Sequence, residues 1–354
     1  MVDLIKHSVE NIKAGQASTG AYVACPSMPD YSYSWFRDGT FIAYAMDLVG
    51  EHESASQFYN WSANVINARK EYVKRGVKKS LRGESLNSKD FLHTRYRLDG
   101  KEGDQQWANF QLDGFGTWLW GVEQHLQLSN YTETPDSWKS AVDLTAFYLS
   151  NLWKVPNYDC WEDHQGIHSY TLAAICQGLC ASENLNSQSQ YLSIAEEIRS
   201  YIFSQCIVNG HFVKYVGTDA VDSSLLGLIV PYDIVSFENP NMQKTLAKIK
   251  SDLQGDSGGL YRYAWDSYYG GGQWLLLTAW LGWVYAVNNK PLEAKSIKKW
   301  IRSQALSNGD LPEQVSKDLI EPNKLQFWVE RRGPIATPLL WSHAKFLILC
   351  SFLQ

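Results

Sequence analysis

The chain has 354 residues, 45% hydrophobic and 19% charged, with a formal net charge of −5. That composition describes a globular protein with ample core material, within the size of one large domain or two ordinary ones. The negative balance and the lack of a long basic stretch argue against a nucleic-acid binder or a protein held on an anionic membrane surface.

Taken in chain order, helical periodicity dominates. The N-terminal MVDLIKHSVENIKAG is amphipathic and predicts a helix over 5–15. It lacks a signal-peptide apolar core, so a cytoplasmic location is expected. No run reaches the ~18 apolar residues of a spanning helix. Helices follow over 38–49, 53–73, 105–128 and 136–152, the last with Ala141, Leu144, Ala146, Phe147 and Leu149 on one face. Segments 168–183, 190–206 and 222–229 come next. Between the last two, HFVKYV at 211–216 is the best β candidate. Helices over 240–254, 273–287, 292–305 and 337–352 complete the series. The final one is apolar almost all round, which predicts an inner helix shielded on several sides.

Twelve helical segments without a sheet, a linker or a low-complexity tract predict an all-α single domain spanning 1–354, with helical hairpins wrapped in a ring. Segments 20–36, 74–104, 154–167, 255–272 and 307–336 are too long for simple connectors, and long ordered loops usually carry function. The six cysteines (25, 160, 176, 180, 206, 350) show no zinc spacing and read as reduced thiols. Sequons at Asn60 and Asn130 carry little weight without a secretory signal.

The chemistry concentrates in those loops. The 15 Trp, 20 Tyr and 13 Phe mostly serve a core, but a few stand beside polar clusters. In YSYSWFRDGT (31–40), Arg37 and Asp38 follow Tyr31, Tyr33 and Trp35. A guanidinium beside a carboxylate can fork two adjacent sugar hydroxyls while aromatic faces line the wall. Asp38 also reads as a plain helix N-cap. In CWEDHQGIHSYT (160–171), Glu162 follows Trp161 and precedes Asp163. An indole and a second acid both favour the protonated form, as a general acid requires; the bland alternative is an acid near a helix start. Glu313, in the loop LPEQV, is the candidate second carboxylate, ranked above Glu321 and Glu330. Arg262, in GLYRYAWDSYYGGGQW, is a second fork, with glycines 270–272 allowing a tight turn. No GxSxG, HExxH or GxGxxG is present. His164 and His168 are four apart, but no third ligand is apparent, so no metal or cofactor is expected.

Together these segments resemble glycoside hydrolase family 15, the glucoamylase and glucodextranase family. YSYSWFRDG resembles its aromatic-Trp-x-Arg-Asp segment. QWANFQLDGFG (106–116) resembles its Gln-x-Asp-Gly segment, with Trp107 at a sugar-stacking position. CWEDHQG resembles the Trp-Glu-Glu segment that holds the acid, and RYAWDSYYGGGQW a further Arg-Tyr segment. LPEQV and ATPLLWSHAKF resemble the base loop and closing helix. The resemblance implies an (α/α)6 barrel and an inverting exo-hydrolase that releases β-D-glucose from non-reducing ends of α-glucans or malto-oligosaccharides. It implies Glu162 as acid and Glu313 as base. Tyr31, Trp35, Arg37, Asp38, Trp107, Trp161, Asp163 and Arg262 would bind substrate, and Ser342 would hydrogen-bond the base. Asp163 departs from the Glu of fungal members. No separate β-sandwich or starch-binding domain is expected, which favours short soluble substrates. A bell-shaped pH profile with an acidic optimum is expected. The alternatives are an α-1,6 (isomaltose or dextran) glucohydrolase, a trehalase, or a non-catalytic sugar-binding domain.

Overall fold

In a computed structural model of the chain, residues 2–129, 131, 133–187 and 189–353 are described; the sequon at Asn130 lies outside them. Thirteen α-helices run through the described residues. They are α1 (Leu4–Ala14), α2 (Phe36–Leu48), α3 (His52–Asn67), α4 (Lys70–Ser80), α5 (Asp113–Leu128), α6 (Asp136–Leu152), α7 (Ser169–Asn186), α8 (Leu192–Gln205), α9 (Pro240–Leu253), α10 (Leu275–Val287), α11 (Pro291–Gln304), α12 (Asn323–Arg332) and α13 (Leu340–Ser351). Among the described residues no helix is long and apolar enough to cross a membrane.

Two kinds of helix sort themselves by side-chain chemistry. Helix α10, LLLTAWLGWVYAV, carries no charge and is buried on every face over most of its length, as are α2, α5, α7 and α13. Helix α11, PLEAKSIKKWIRSQ, buries only Ala294, Ile297 and Ile301, a single stripe at helical spacing. The helices buried all round give no face to water, and the amphipathic ones enclose them.

The enclosed segments form a closed ring. Helix α2 packs on α5, α5 on α7, α7 on the 3-10 helix Ser223–Leu228, that helix on α10, α10 on α13, and α13 back on α2. Helices α1, α3, α6, α8, α9 and α11 lie outside, each against the ring. The fold is thus an (α/α)6 barrel whose twelve segments are, in order, the twelve that periodicity predicts. The fourth inner position is the short 3-10 helix rather than an α-turn. Backbones approach closely at the α5–α7 crossing. A Cβ on Gly116 would lie 2.4 Å from the Ala174 carbonyl, and one on Gly178 2.6 Å from the Gly116 carbonyl.

Several boundaries differ from the sequence reading. The predicted helix 53–73 is two helices, broken where the Arg69 guanidinium bonds the Val65 and Gly100 carbonyls. Residues 105–112 are not helical, and α5 begins at Asp113. In HFVKYV only His211–Phe212 is strand, paired with Ile207–Val208. The loops read as 74–104 and 307–336 contain the end of α4 and all of α12.

Candidate active site

Each inner segment brings chemistry at its N-terminal approach. Trp35, Arg37 and Asp38 start α2; Gln111 and Asp113 start α5; Trp161 and Glu162 precede α7. Asp222 caps the 3-10 helix, accepting from Ser224 N at 2.7 Å. Arg262 and Trp274 precede α10, while Glu313 and Trp341 belong to the approach and first turn of α13. Helix N-termini carry partial positive charge, so carboxylates gather there at lower cost.

Two adjoining cavities result. The inner one, about 450 Å³ and open outward, is lined by Tyr31, Trp35, Arg37, Asp38, Trp161, Glu162, Arg262, Trp274, Glu313 and Trp341, among others. The outer one, about 760 Å³, is lined by Trp107, Asp163, Tyr263, Tyr268, Trp328 and Arg332, with Tyr31, Trp161, Glu162 and Arg262 shared between the two. Glu162 therefore stands at their junction, and Glu313 faces the inner cavity alone.

Glu162 is half-buried and has a positive φ of 70°, sparsely populated for a residue with a side chain. The turn that holds it there is over-determined by Asp159. The Asp159 carbonyl accepts from Glu162 N at 3.0 Å, and its carboxylate accepts from Asp163 N at 2.9 Å and His164 N at 3.3 Å. Burial works against charge on Asp159, yet Lys214 at 2.9 Å and His164 hold it well below the usual carboxylate range. The two oxygens of Glu162 are each held by an indole: Trp35 Nε1 donates to Oε1 and Trp107 Nε1 to Oε2, both at 2.6 Å. Burial raises the Glu162 pKa, opposed by the Arg37 charge and the Trp35 bond.

Glu313 is 2% exposed. Tyr31 donates to its Oε1 at 2.9 Å, and the Tyr31 hydroxyl is itself 3.0 Å from that of Tyr268. Its Oε2 has no partner among the described residues. Burial pushes this carboxyl up to about 8, against the Tyr31 bond and the Arg262 charge. At the inner end Arg37 donates to Gln111 Oε1 at 2.9 Å and Asp113 Oδ2 at 3.2 Å, and lies 3.4 Å from Asp38 Oδ2. Arg37 Nε and Asp38 Oδ2 are buried without a hydrogen-bond partner, as two groups awaiting a polar ligand would be. Burial pushes Asp38 up to about 6, opposed by Arg37. Arg262 forks onto Asp266 at 2.6 and 2.7 Å and reaches Asp163 at 3.1 Å.

Nine of the sequence-predicted binding and catalytic residues other than Trp107 and Ser342 line one or both cavities, and Trp107 lines the outer one. Ser342 does not reach the Glu313 carboxylate. Its hydroxyl donates to the Pro312 carbonyl at 2.9 Å, so it secures the backbone just before Glu313. The Trp161 indole N–H donates to Asp222, and its ring lines both cavities with Glu162, whose pKa is raised chiefly by burial. Tyr33 lies outside both cavities, and Glu321 and Glu330 are exposed. His164 and His168 both precede α7 rather than sharing a helical face, and no metal-binding cluster occurs among the described residues. Sequence reasoning missed Asp159, Lys214 and Asp222, which brace the Glu162 turn and Trp161, and gave no role to Gln111 and Asp113 of the Gln-x-Asp-Gly segment, which hold Arg37. The aspartate three residues before Glu162 was the one local signal for that turn.

Two cavity-facing carboxyls, one buried and one half-buried, in an aromatic cleft on an (α/α)6 barrel are the arrangement of a glycoside hydrolase of the glucoamylase fold. The chain belongs to glycosyl hydrolases family 15, whose pattern matches residues 3–298. It is 39% identical to an isomaltose glucohydrolase of Kribbella flavida over 98% of this chain and 91% of that one. A glycosidase variant solved in complex with glucose is 37% identical, with a TM-score of 0.93 over 99% of this chain and 96% of that one. A bacterial glucoamylase complexed with acarbose shares the fold at 21% identity and a TM-score of 0.80, over 99% of this chain and 55% of that one.

Proposed function

We propose an inverting, exo-acting α-glucosidase that releases β-D-glucose from the non-reducing end of α-glucans or malto-oligosaccharides, with Glu162 as general acid and Glu313 as general base. The placement of the two carboxyls supports these roles: Glu162 lines both cavities and Glu313 only the inner one. A glucose unit seated inside, with the leaving sugar outside, puts the glycosidic oxygen at the junction beside Glu162. The base then belongs deeper, on the far face of the inner ring, where it activates a water. Glu313 has an oxygen free to accept from that water, and such a bond favours its ionised form. Arg37 and Asp38 bind hydroxyls of the inner glucose, and Trp35, Trp161 and Tyr31 line its ring. Asp163 and Arg262 meet the leaving sugar. Exo-action requires the inner cavity to admit a single terminal glucose unit.

Two carboxyls in one pocket titrate as a pair that carries a single proton over the active range. Burial raises both, so the limbs of the bell-shaped kcat/KM profile should lie at higher pH than exposed carboxylates would set.

A second reading concerns linkage. The likeness to the Kribbella flavida isomaltose glucohydrolase supports an α-1,6 bond. One experiment tests both. Maltose, isomaltose and trehalose are supplied in turn, and fresh product is followed by proton NMR. β-Glucose as the first product supports the mechanism, and relative kcat/KM identifies the bond. α-Glucose first would overturn inversion. Sugar binding with no release from any of the three would leave a binding domain.

A further inference from the structure

Arg95 stands outside every motif used above and touches neither cavity, yet it meets both indoles that hold Glu162. It lies in the two-residue strand Arg95–Tyr96, paired antiparallel with Ser34–Trp35 so that Arg95 faces Trp35 in register. It is 3% exposed. Its guanidinium carbon is 3.5 Å from the ring centre of Trp107, 4.1 Å from that of Tyr33 and 5.2 Å from that of Trp35. Its Nη1 donates to the Asp30 carbonyl at 2.7 Å and its Nη2 to Gln105 Oε1 at 2.9 Å. One buried cation thereby spans the segment that carries Trp35 and the segment that carries Trp107.

We propose that Arg95 is a positioning residue for the general acid, stacking on Trp107 and Trp35 so that their N–H groups clasp both oxygens of Glu162, and biasing that carboxyl toward its ionised form. The need for such a device is local. Trp107 is half-buried in a stretch, Gln105–Asn109, that is neither helix nor strand, so no helix or strand sets its ring. A guanidinium over an indole face orients the ring and strengthens its N–H as a donor, since the ring electrons are drawn toward the cation. Arg332 also lies over Trp107, at 5.4 Å, but from the outer cavity and at the longer distance. Burial lowers the Arg95 pKa to about 10, against the charge of Glu162, so the group stays cationic wherever the enzyme would work. The other charged groups around Glu162 are Arg37, Asp38, Glu313 and Arg262 in the inner cavity and Asp163 and Arg332 in the outer one, with the Tyr31 hydroxyl between. Of these charged groups only Arg332 meets an indole that holds Glu162, at the longer distance of 5.4 Å.

The proposal rests on Glu162 being the acid, and its sign is fixed. A nearby cation lowers a carboxyl pKa, so losing Arg95 raises that of Glu162. The upper limb of kcat/KM against pH marks loss of the acid's proton, and it should move to higher pH. In Arg95→Met that limb should rise by about half a unit or more, and kcat should fall by roughly 10- to 100-fold with KM changed less. Arg95→Lys keeps the charge and should leave the limb in place, while losing part of kcat because the stacked fork is gone. An active Arg95→Met with an unmoved limb, or with wild-type kcat, overturns the proposal. If Arg95→Met shows no cooperative thermal unfolding, the decision passes to Arg95→Lys measured with and without Trp107→Phe. The lysine change should cost clearly less in the phenylalanine background, and equal cost in both overturns the proposal. Glu162→Gln serves as the control. If it abolishes activity while the Arg95 variants fail these tests, the acid assignment stands and only the role of Arg95 falls.

Discussion

The inner and outer cavities share a wall but are built from different material. The inner one is lined by residues on the approaches to the ring segments, locked by hydrogen bonds and ion pairs. Arg37 is held by Gln111, Asp113 and Asp38, Trp161 by Asp222, and Glu313 by Tyr31. The outer one owes Trp328 and Arg332 to α12, a ten-residue helix with no fully buried residue that packs on the Tyr268–Gly270 turn. Arg332 pairs with Asp30 at 3.3 Å. A rigid pocket suits chemistry common to any glucoside, because the reacting atoms must be held closely. A wall carried on a surface helix suits recognition of the leaving sugar, where linkage is read. The contrast predicts that substitutions inside change kcat for every substrate, while substitutions on α12 change the ranking of substrates.

The largest effects should come from the two carboxyls. Glu162→Gln should lower kcat on disaccharides by about 10³- to 10⁴-fold, with substrate binding retained. The same variant should keep much of its activity on α-glucosyl fluoride, whose leaving group needs no proton. Glu313→Gln should lose about 10²- to 10⁴-fold on disaccharide and fluoride alike, since both need an activated water. If the two variants exchange behaviour toward the fluoride, the acid and base are reversed.

Next in size is the outer wall. Trp328→Ala or Arg332→Ala should alter the ratio of kcat/KM for isomaltose over maltose by about tenfold, with inhibition by glucose unchanged. A uniform loss on both disaccharides would break the division between the cavities. The smallest effect is on stability. The native state pushes the Glu313 carboxyl from 4.5 up to about 8, so it binds its proton more tightly than the unfolded chain does. Stability from this group is therefore lost as pH rises through that window and is complete below it. Glu313→Gln, which carries no charge to bury, should melt roughly 1–3 °C above wild type at pH 8, with the gap closing toward pH 4.5.

Much of this was legible along the chain because helical periodicity and local clusters are short-range properties. Leu277, Leu281, Val284 and Tyr285 mark a helix wherever it sits, and twelve such segments in order define the barrel. Trp35, Arg37 and Asp38 announce a site because they are adjacent. What escaped were partners made neighbours only by closure of the ring. Ser342 was read as a ligand of the base, but the register of α13 against the base loop points it at the Pro312 carbonyl. Trp161 precedes Glu162 and lines the same cavities, but its N–H bonds Asp222, and the indoles that hydrogen-bond the carboxyl come from 127 and 55 residues away.

The order of the helical segments, the inner character of the last one and the choice of Glu162 and Glu313 as candidates came from residues near one another in the chain, since burial pattern and motif are local. Which indoles clasp Glu162, which oxygen of Glu313 is left open and where one cavity ends and the next begins were decided only when loops distant in sequence met at one end of the barrel. Those features depend on distances of a few ångströms between side chains, and no spacing along a chain encodes them.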